Sequence, residues 1–99
     1  MFQSIMKNDN CLQIIFDGAI NARRVTGLLD KIIALRNEHG DVGIELDMDG
    51  VPYLDSAGMA FLTKIMKLFD TQPVKLKNLQ SQPRILLLTT GFNKVFEMD

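Results

Sequence analysis

The sequence predicts an α/β fold: a mostly parallel mixed sheet of four to five short strands, with about three helices packed on one side. Three observations carry that expectation. The apolar period switches along the chain between about two and about 3.6 residues, the signatures of strand and helix. The segments follow the order β-β-α-β-α-β-α with room for a last short strand, and strands joined by helical crossovers make a parallel sheet. The length, 99 residues, suits one domain over residues 1–99 with one core.

Each element has its own justification. Residues 2–6 are short and mixed, an edge-strand candidate. "CLQIIFDGAI" is a stronger strand, broken at Asp17-Gly18, a turn or bulge signal. From Asn21 the pattern is helical. Val25, Leu28, Leu29, Ile32 and Leu35 recur at helical spacing and line one face, while Arg23, Arg24, Asp30, Lys31 and Arg36 fall largely elsewhere. Asn21 suits the N-cap, and Gly40 the position that closes the last turn. Val42, Ile44, Leu46 and Met48 then alternate with Gly43, Glu45, Asp47 and Asp49. One face of this strand is apolar and the other acidic, with Asp49 expected in the Asp-Gly turn that follows. "GVPYLDS" reads as a loop, because Pro52 brings no N–H to a ladder. A second helix begins near Ser56. Its buried stripe is Ala57, Phe61, Leu62, Ile65, Met66 and Phe69, and Lys64, Lys67 and Asp70 face out. Pro73 ends the connection, and "VKLKNL" alternates as a short strand. "SQPRILLLTTG" offers a serine cap, a proline in the first turn and a closing glycine. "FNKVFEMD" reads as a short extended segment.

Composition excludes several function classes. Eleven Lys+Arg against twelve Asp+Glu leave a net charge of -1, which gives no general attraction for nucleic acid or an anionic membrane. Lys75 and Lys77 come nearest to a basic cluster and read as solvated strand ends. No stretch approaches the roughly 18–20 apolar residues that cross a bilayer. "MFQSIMKNDN" lacks both a basic n-region and a long apolar h-region, so a cytoplasmic location is expected. Cys11 is the single cysteine. It has no partner for a disulfide within the chain, lacks the further ligands of a zinc site, fits a reducing compartment, and is expected in the core. His39, the single histidine, reads as a residue of a helix C-terminus.

The motif search yields no catalysis. There is no Walker loop, GxGxxG, HExxH or GxSxG, so no catalytic residue, cofactor or metal site is expected and the chain does not read as an enzyme. Asp47 and Asp49 are two apart and share a strand face, but two carboxylates make a thin acid/base or cation site. A solvated strand edge explains them better. Met59 stands off the Phe61/Ile65 line, one turn into the second helix, and is a candidate exposed anchor for a partner. "DSAG" remains. On its plain reading, Asp55 or Ser56 caps a helix and Gly58 permits close packing. Three features add to that reading. The reciprocal Glu or Gln of a capping box is missing, small residues at Ala57, Gly58 and Ala60 leave Ser56 open, and a helix N-terminus can hold a phosphate.

These residues resemble the bacterial anti-sigma factor antagonists, the small single-domain STAS proteins. The likeness spans about residues 10–97. Its specific part is "GIELDMDGVPYLDSAGMAFLTKI", which carries strand, loop, Asp-Ser-x-Gly and helix. "FDGAINARRVTGLLDKIIAL" and "LLLTTGFNKVFEM" flank it. The resemblance implies the STAS fold, with Ser56 as the phosphoacceptor. It also implies a partner serine kinase, an anti-sigma factor of the histidine-kinase-like ATPase type, and a PP2C-type phosphatase that reverses the modification. The unphosphorylated form would bind the kinase and free what the kinase holds, with an output in transcription or biofilm control. Three positions depart from the family pattern. Ala57 stands where a serine or threonine is common, which removes a rival acceptor. Met59 and Ala60 replace a leucine-glycine pair and imply a different partner preference. Asn21 replaces a common aspartate, so a contact needing charge there is not expected.

The expected partner surface therefore comprises the Asp17–Asn21 loop, the Gly50–Ser56 loop and the first turn of the second helix. Its residues are Asp17, Gly18, Asn21, Tyr53, Asp55, Ser56, Ala57, Gly58 and Met59. The rival from another class is a STAS subunit of a transport system bound to an ABC ATPase, against which the intact "DSAG" argues.

Overall fold

The computed structural model describes residues 2–71, 74–94 and 96–98. Strands β1 (Phe2–Asn8) and β2 (Cys11–Asp17) form an antiparallel hairpin, closed by an Asx turn in which Asn10 N–H donates to Asn8 Oδ1 at 2.8 Å. Helix α1 (Ala22–His39) leads to β3 (Gly43–Gly50), α2 (Ser56–Leu68) to β4 (Val74–Lys77), and α3 (Ser81–Thr89) through a 3-10 turn at Phe92–Lys94 to β5 (Glu97–Met98). The sheet order is β1-β2-β3-β4-β5, parallel from β2 onward. This order explains why the helices share a side. Each crossover steps one strand further in the same direction, and right-handed crossovers then set α1, α2 and α3 on one face.

The register sorts the side chains. Leu12 pairs with Ile44, and Ile44 with Val74; Ile14 pairs with Leu46, Leu46 with Leu76, and Leu76 with Met98. These residues face the helices and join Leu28, Ile32 and Leu35 of α1, Phe61, Leu62 and Ile65 of α2, and Leu87 of α3 in one core cluster. Phe16 lies at the centre of an aromatic chain, edge-on to both Phe2 and Phe61, with ring centroids 5.7 and 5.9 Å away. The other face carries Gln13, Ile15, Glu45, Asp47, Lys75, Lys77 and Glu97, and no helix among the described residues covers it. No helix among the described residues is long and apolar enough to cross a membrane.

The element order, the mixed sheet and the one-sided helices agree with expectation, as do the Asn21 cap, which accepts from Arg23 N–H at 3.2 Å, and the Gly40 stop with its φ of 76°. Several details differ. Cys11 is half-buried on the open face, because β2 places it in phase with Gln13 and Ile15 and out of phase with Leu12, Ile14 and Phe16. β1 continues to Asn8, and β3 carries on through Asp49 and Gly50. The register changes there, from Ile15 opposite Asp47 to Asp17 opposite Gly50, so β3 holds an extra residue and Asp49 belongs to a bulged strand. Gln80, not Ser81, takes the N-cap of α3, and its side chain makes no capping bond. Ala57 and Met66 are only half-buried, and Gly58 occupies the buried slot one position away from Ala57. Lys77 is more than a solvated strand end, since it pairs with Glu45 at 3.4 Å. The Pro73 break lies outside the described residues.

Glu45 is the buried charge that the alternation did not foretell, at 6% exposure. It sits on the open sheet face between Lys7 Nζ at 2.8 Å and Lys77 Nζ at 3.4 Å. The hydrogen bond from Lys7 holds its carboxyl below the usual range, with Lys77 adding to the effect. The two ion pairs tie edge strand β1 and strand β4 to the centre of the sheet.

Candidate functional site

Two loops leave the C-terminal ends of the neighbouring parallel strands β2 and β3. That end of an open parallel sheet is where α/β folds meet their ligands. The loops run side by side and continue the ladder. Gly18 N–H donates to the Gly50 carbonyl at 2.8 Å, and Ile20 N–H to the Tyr53 carbonyl at 3.0 Å. Ile20 and Leu54 form an isolated parallel bridge. Gly18 has a φ of +92°, in the left-handed region that suits glycine. The Arg24 guanidinium lies against the same turn and donates to the Ala19 carbonyl.

Asp55 joins the two helices that follow. It is the N-cap of α2, and its Oδ1 accepts the Gly58 N–H at 2.8 Å. Its Oδ2 accepts the Ala22 N–H at 3.0 Å, the first residue of α1. One carboxylate thus neutralises two helix N-termini, each of which presents unpaired donors and positive dipole character. The Gly58 amide bond, and after it those from Ala22 and Ala57, hold the Asp55 carboxyl below the usual carboxylate range. Gly58 lets α2 come this close: a Cβ there would stand 2.4 Å from the Ile20 carbonyl oxygen and 3.1 Å from Leu54 Cδ2.

Ser56 is the first residue of α2 and is exposed. Of the two capping candidates in "DSAG", the cap is Asp55, which leaves the Ser56 hydroxyl clear of that duty. The amide that a phosphate at this helix end would seek at Gly58 is already taken by Asp55, so the N-terminus is less open to an anion than the sequence suggests. Tyr53 is 49% exposed on the same loop. Asp17 is exposed at the end of β2. Together with Asp47 and Asp49 it borders a shallow hollow on the open-face side of this rim. No group of three or more His, Cys, Asp or Glu among the described residues is placed to hold a metal ion.

Hydrogen bonds therefore bring Gly18, Tyr53, Asp55 and Gly58 into one rim, Asn21 caps α1 beside it between the bonded Ile20 and Ala22, and Ser56 stands on the rim. Ala57 turns aside, into an apolar groove between α1 and α2 that it lines with Val25, Leu29, Ala60 and Phe61. Met59 differs from the exposed anchor that the sequence suggests. It is half-buried and packs against the core, on the flank of α2 turned away from the α1 groove, because at about 100° per residue it falls about 200° round the helix from Ala57.

Sequence reasoning missed the residues that hold the β3–α2 loop from its other side. Gln82 accepts from Leu54 N–H at 2.9 Å and donates to the Leu54 carbonyl at 3.0 Å. Gln80 Nε2 donates to the Asp49 carbonyl at 2.5 Å, and Asn78 Nδ2 to Asp47 Oδ1 at 3.2 Å. The one trace of this in the sequence is an amide side chain at every second position from 78 to 82.

A family model for the STAS domain matches residues 3–99. No curated protein matches the sequence. Among solved structures, TM1081 of Thermotoga maritima superposes with a TM-score of 0.88 at 14% identity, over 98% of this chain and 84% of that one. The Bacillus cell fate determinant SpoIIAA in its phosphorylated form gives 0.74 at 17% identity, over 100% and 91%. Its unphosphorylated form, an anti-sigma factor antagonist, gives 0.74 at 18%, over 100% and 87%. An anti-sigma factor antagonist from Mycobacterium paratuberculosis gives 0.78 at 17%, over 99% and 85%. At these identities the likeness is one of fold.

Proposed function

The chain belongs to the STAS domain family, and on that premise we propose that it is a phosphorylation-controlled partner-switching regulator of the anti-sigma factor antagonist kind, with Ser56 as its phosphoacceptor. The observation that carries this reading is the position of Ser56. It is exposed at the first position of α2, with Asp55 doing the capping, on a rim stitched from two loops. The phosphorylated and unphosphorylated forms of SpoIIAA, which share this fold, support the same reading.

The partner is a serine kinase of the histidine-kinase-like ATPase type, and a PP2C-type phosphatase resets the cycle. The partner surface comprises Asp17, Gly18, Asn21, Tyr53, Asp55 and Ser56, with the half-buried Ala57 and Met59 at its margin and the buried Gly58 shaping it from beneath. Phosphorylation adds about 1.5 to 2 negative charges and three strong acceptors. They arrive beside an ionised Asp55 that already holds the Gly58 amide, so the added charge stays at the surface. A partner surface shaped for a neutral hydroxyl then meets repulsion and a desolvation cost. A loss of about 3 kcal/mol is more than a hundredfold in affinity.

The test is to incubate the protein with ATP and each serine kinase encoded beside its gene, then to repeat with Ser56→Ala and Ser56→Asp. Phosphate should appear on the wild type and vanish with Ser56→Ala, and Ser56→Asp should bind the kinase more weakly than Ser56→Ala. Phosphate retained on Ser56→Ala refutes the site, and equal binding by the two variants refutes the electrostatic switch.

A further inference from the structure

We infer that Gln82 is a positioning residue for the Ser56 loop, standing in for a strand that the sheet does not supply. The inference rests on the proposed function only where it names Ser56 as the group being presented; the clamp itself rests on geometry.

Five residues, 51–55, join β3 to α2. On one side the loop is bound by the β2–α1 loop, and Ile20 uses the Tyr53 carbonyl for that purpose. On the other side the neighbouring strand would be β4, but β4 stops at Lys77. Leu54 is fully buried, so its own N–H and C=O would be left without partners there. Unmade bonds at buried backbone groups are costly. The primary amide of Gln82 meets both groups at once, accepting at 2.9 Å and donating at 3.0 Å. This is the donor–acceptor pair that an adjacent backbone would present.

The preceding turn behaves consistently. Gln80 stands at the N-cap of α3 yet makes no capping bond, and its amide goes to the Asp49 carbonyl instead. Asn78 adopts a φ of 59° and sends its amide to Asp47. Three amide side chains in a row are thus directed at the end of β3 and its loop. The last of them fixes Leu54, two residues before Ser56.

A presented hydroxyl gains from such fixing. In the transfer proposed above, the Ser56 Oγ–P bond forms and the bond from the γ-phosphorus to its bridging oxygen breaks. ADP leaves, and the hydroxyl proton goes to a base on the kinase. Small displacements of a reacting atom can cost orders of magnitude in rate.

Two variants separate the parts of the clamp. Gln82→Met keeps the length and loses both bonds, whereas Gln82→Glu keeps the acceptor for Leu54 N–H and loses the donor. Native-state hydrogen exchange on the isolated protein should show the Leu54 amide exchanging about tenfold or more faster in Gln82→Met, the factor one neutral hydrogen bond is worth. Gln82→Glu should restore much of the protection, and the Ile14 and Leu46 amides of the sheet should be unchanged in both. With ATP and the serine kinase encoded beside the gene, kcat/KM for Ser56 should fall about tenfold in Gln82→Met and recover in part in Gln82→Glu, in step with the exchange. Unchanged Leu54 exchange in Gln82→Met overturns the clamp. Faster exchange with unaltered phosphorylation overturns its role in presenting Ser56. A wild type that takes no phosphate at Ser56 refutes the proposed function instead, and the Leu54 exchange then decides the clamp by itself.

Discussion

Gly58 and Gly27 offer the same substitution in two settings, and alanine should act on them with opposite signs. Gly27 lies within α1, and beyond its own helical turn no described atom stands within 4 Å of where a Cβ would be. Gly27→Ala therefore adds only helix propensity, a gain of about 0.8–1 kcal/mol. Gly58 lies in the first turn of α2, and its Cβ would stand 2.4 Å from the Ile20 carbonyl oxygen. That is roughly 1 Å inside an ordinary contact. The atom it meets is backbone, on a loop held by the Ile20–Tyr53 bond, so it cannot swing aside as a side-chain end would. Relief needs α2 to back away, which stretches the 3.0 Å bond from Ala22 to Asp55 and opens the packing against Leu54. Overpacking of this kind costs about 1–3 kcal/mol, and the propensity gain offsets only part of it. Urea titration of wild type and both variants, fitted with a common slope, reads the result directly. The Gly27→Ala midpoint should rise and the Gly58→Ala midpoint fall. In heat, each kcal/mol corresponds to about 4–8 °C for a domain of this size. A Gly58→Ala variant as stable as wild type would refute the close approach on which the Asp55 bridge depends.

Other outcomes follow from the same contacts. Asp55→Asn should lower the melting temperature at neutral pH, because one amide oxygen can serve Gly58 while the amide nitrogen faces the Ala22 donor; unchanged melting would refute the double cap. The folded-state pKa of Asp55 is depressed, so its contribution is complete above the unfolded value near 3.9 and is lost as pH falls through the folded one. The acid limb of the stability curve should accordingly be shallower in Asp55→Asn, as read by melting between neutral pH and about pH 3. Glu45, also depressed, has the same sign, and its window opens slightly higher, at the unfolded value of a glutamate near about 4.3. Glu45→Gln should flatten the same limb, and high salt should narrow its difference from wild type at neutral pH, since Lys7 and Lys77 are partly exposed. Cys11→Ser should cost less than about 1 kcal/mol, and a thiol reagent should label Cys11 in the folded protein, as its half-buried place on the open face requires.

What the sequence made legible, and what it did not, divides along the range of the interaction. Elements written in local period were readable. Val25 to Leu35 on α1 and Ile44 to Met48 on β3 repeat the geometry of their own backbone, and the alternation of strand and helix implies the one-sided parallel sheet. Caps were readable to within a position, because a cap is a local bond: Asn21 agrees, whereas Gln80 displaces Ser81. Cys11 was misplaced by parity alone, since an apolar run does not say which of its two faces meets the helices. The contacts from Lys7 to Glu45, Ala22 to Asp55 and Leu54 to Gln82 join residues 38, 33 and 28 apart. Each partner there is an ordinary polar residue in its own neighbourhood, and only the fold supplies the pairing.

The Asp55 bridge also changes what a modification at Ser56 would have to do. A bare helix N-terminus could draw a phosphate inward and turn charge into a change of fold, because free amides and the dipole favour the anion. Here the Gly58 and Ala22 amides already hold a carboxylate, and their bonds keep it ionised. A phosphoryl group on Ser56 would have to displace an intramolecular anion to gain the Gly58 amide. It would thereby give up the tie between α1 and α2, with like charges opposing each other at close range. Remaining in solvent avoids both costs. The proposed switch is accordingly one of surface charge on an unchanged domain. Amide chemical shifts of the phosphorylated and unphosphorylated protein should differ around residues 53–59 and agree in the sheet and at Ala22. A large shift at Ala22 would mean that the bridge had opened and that the signal travels through the fold.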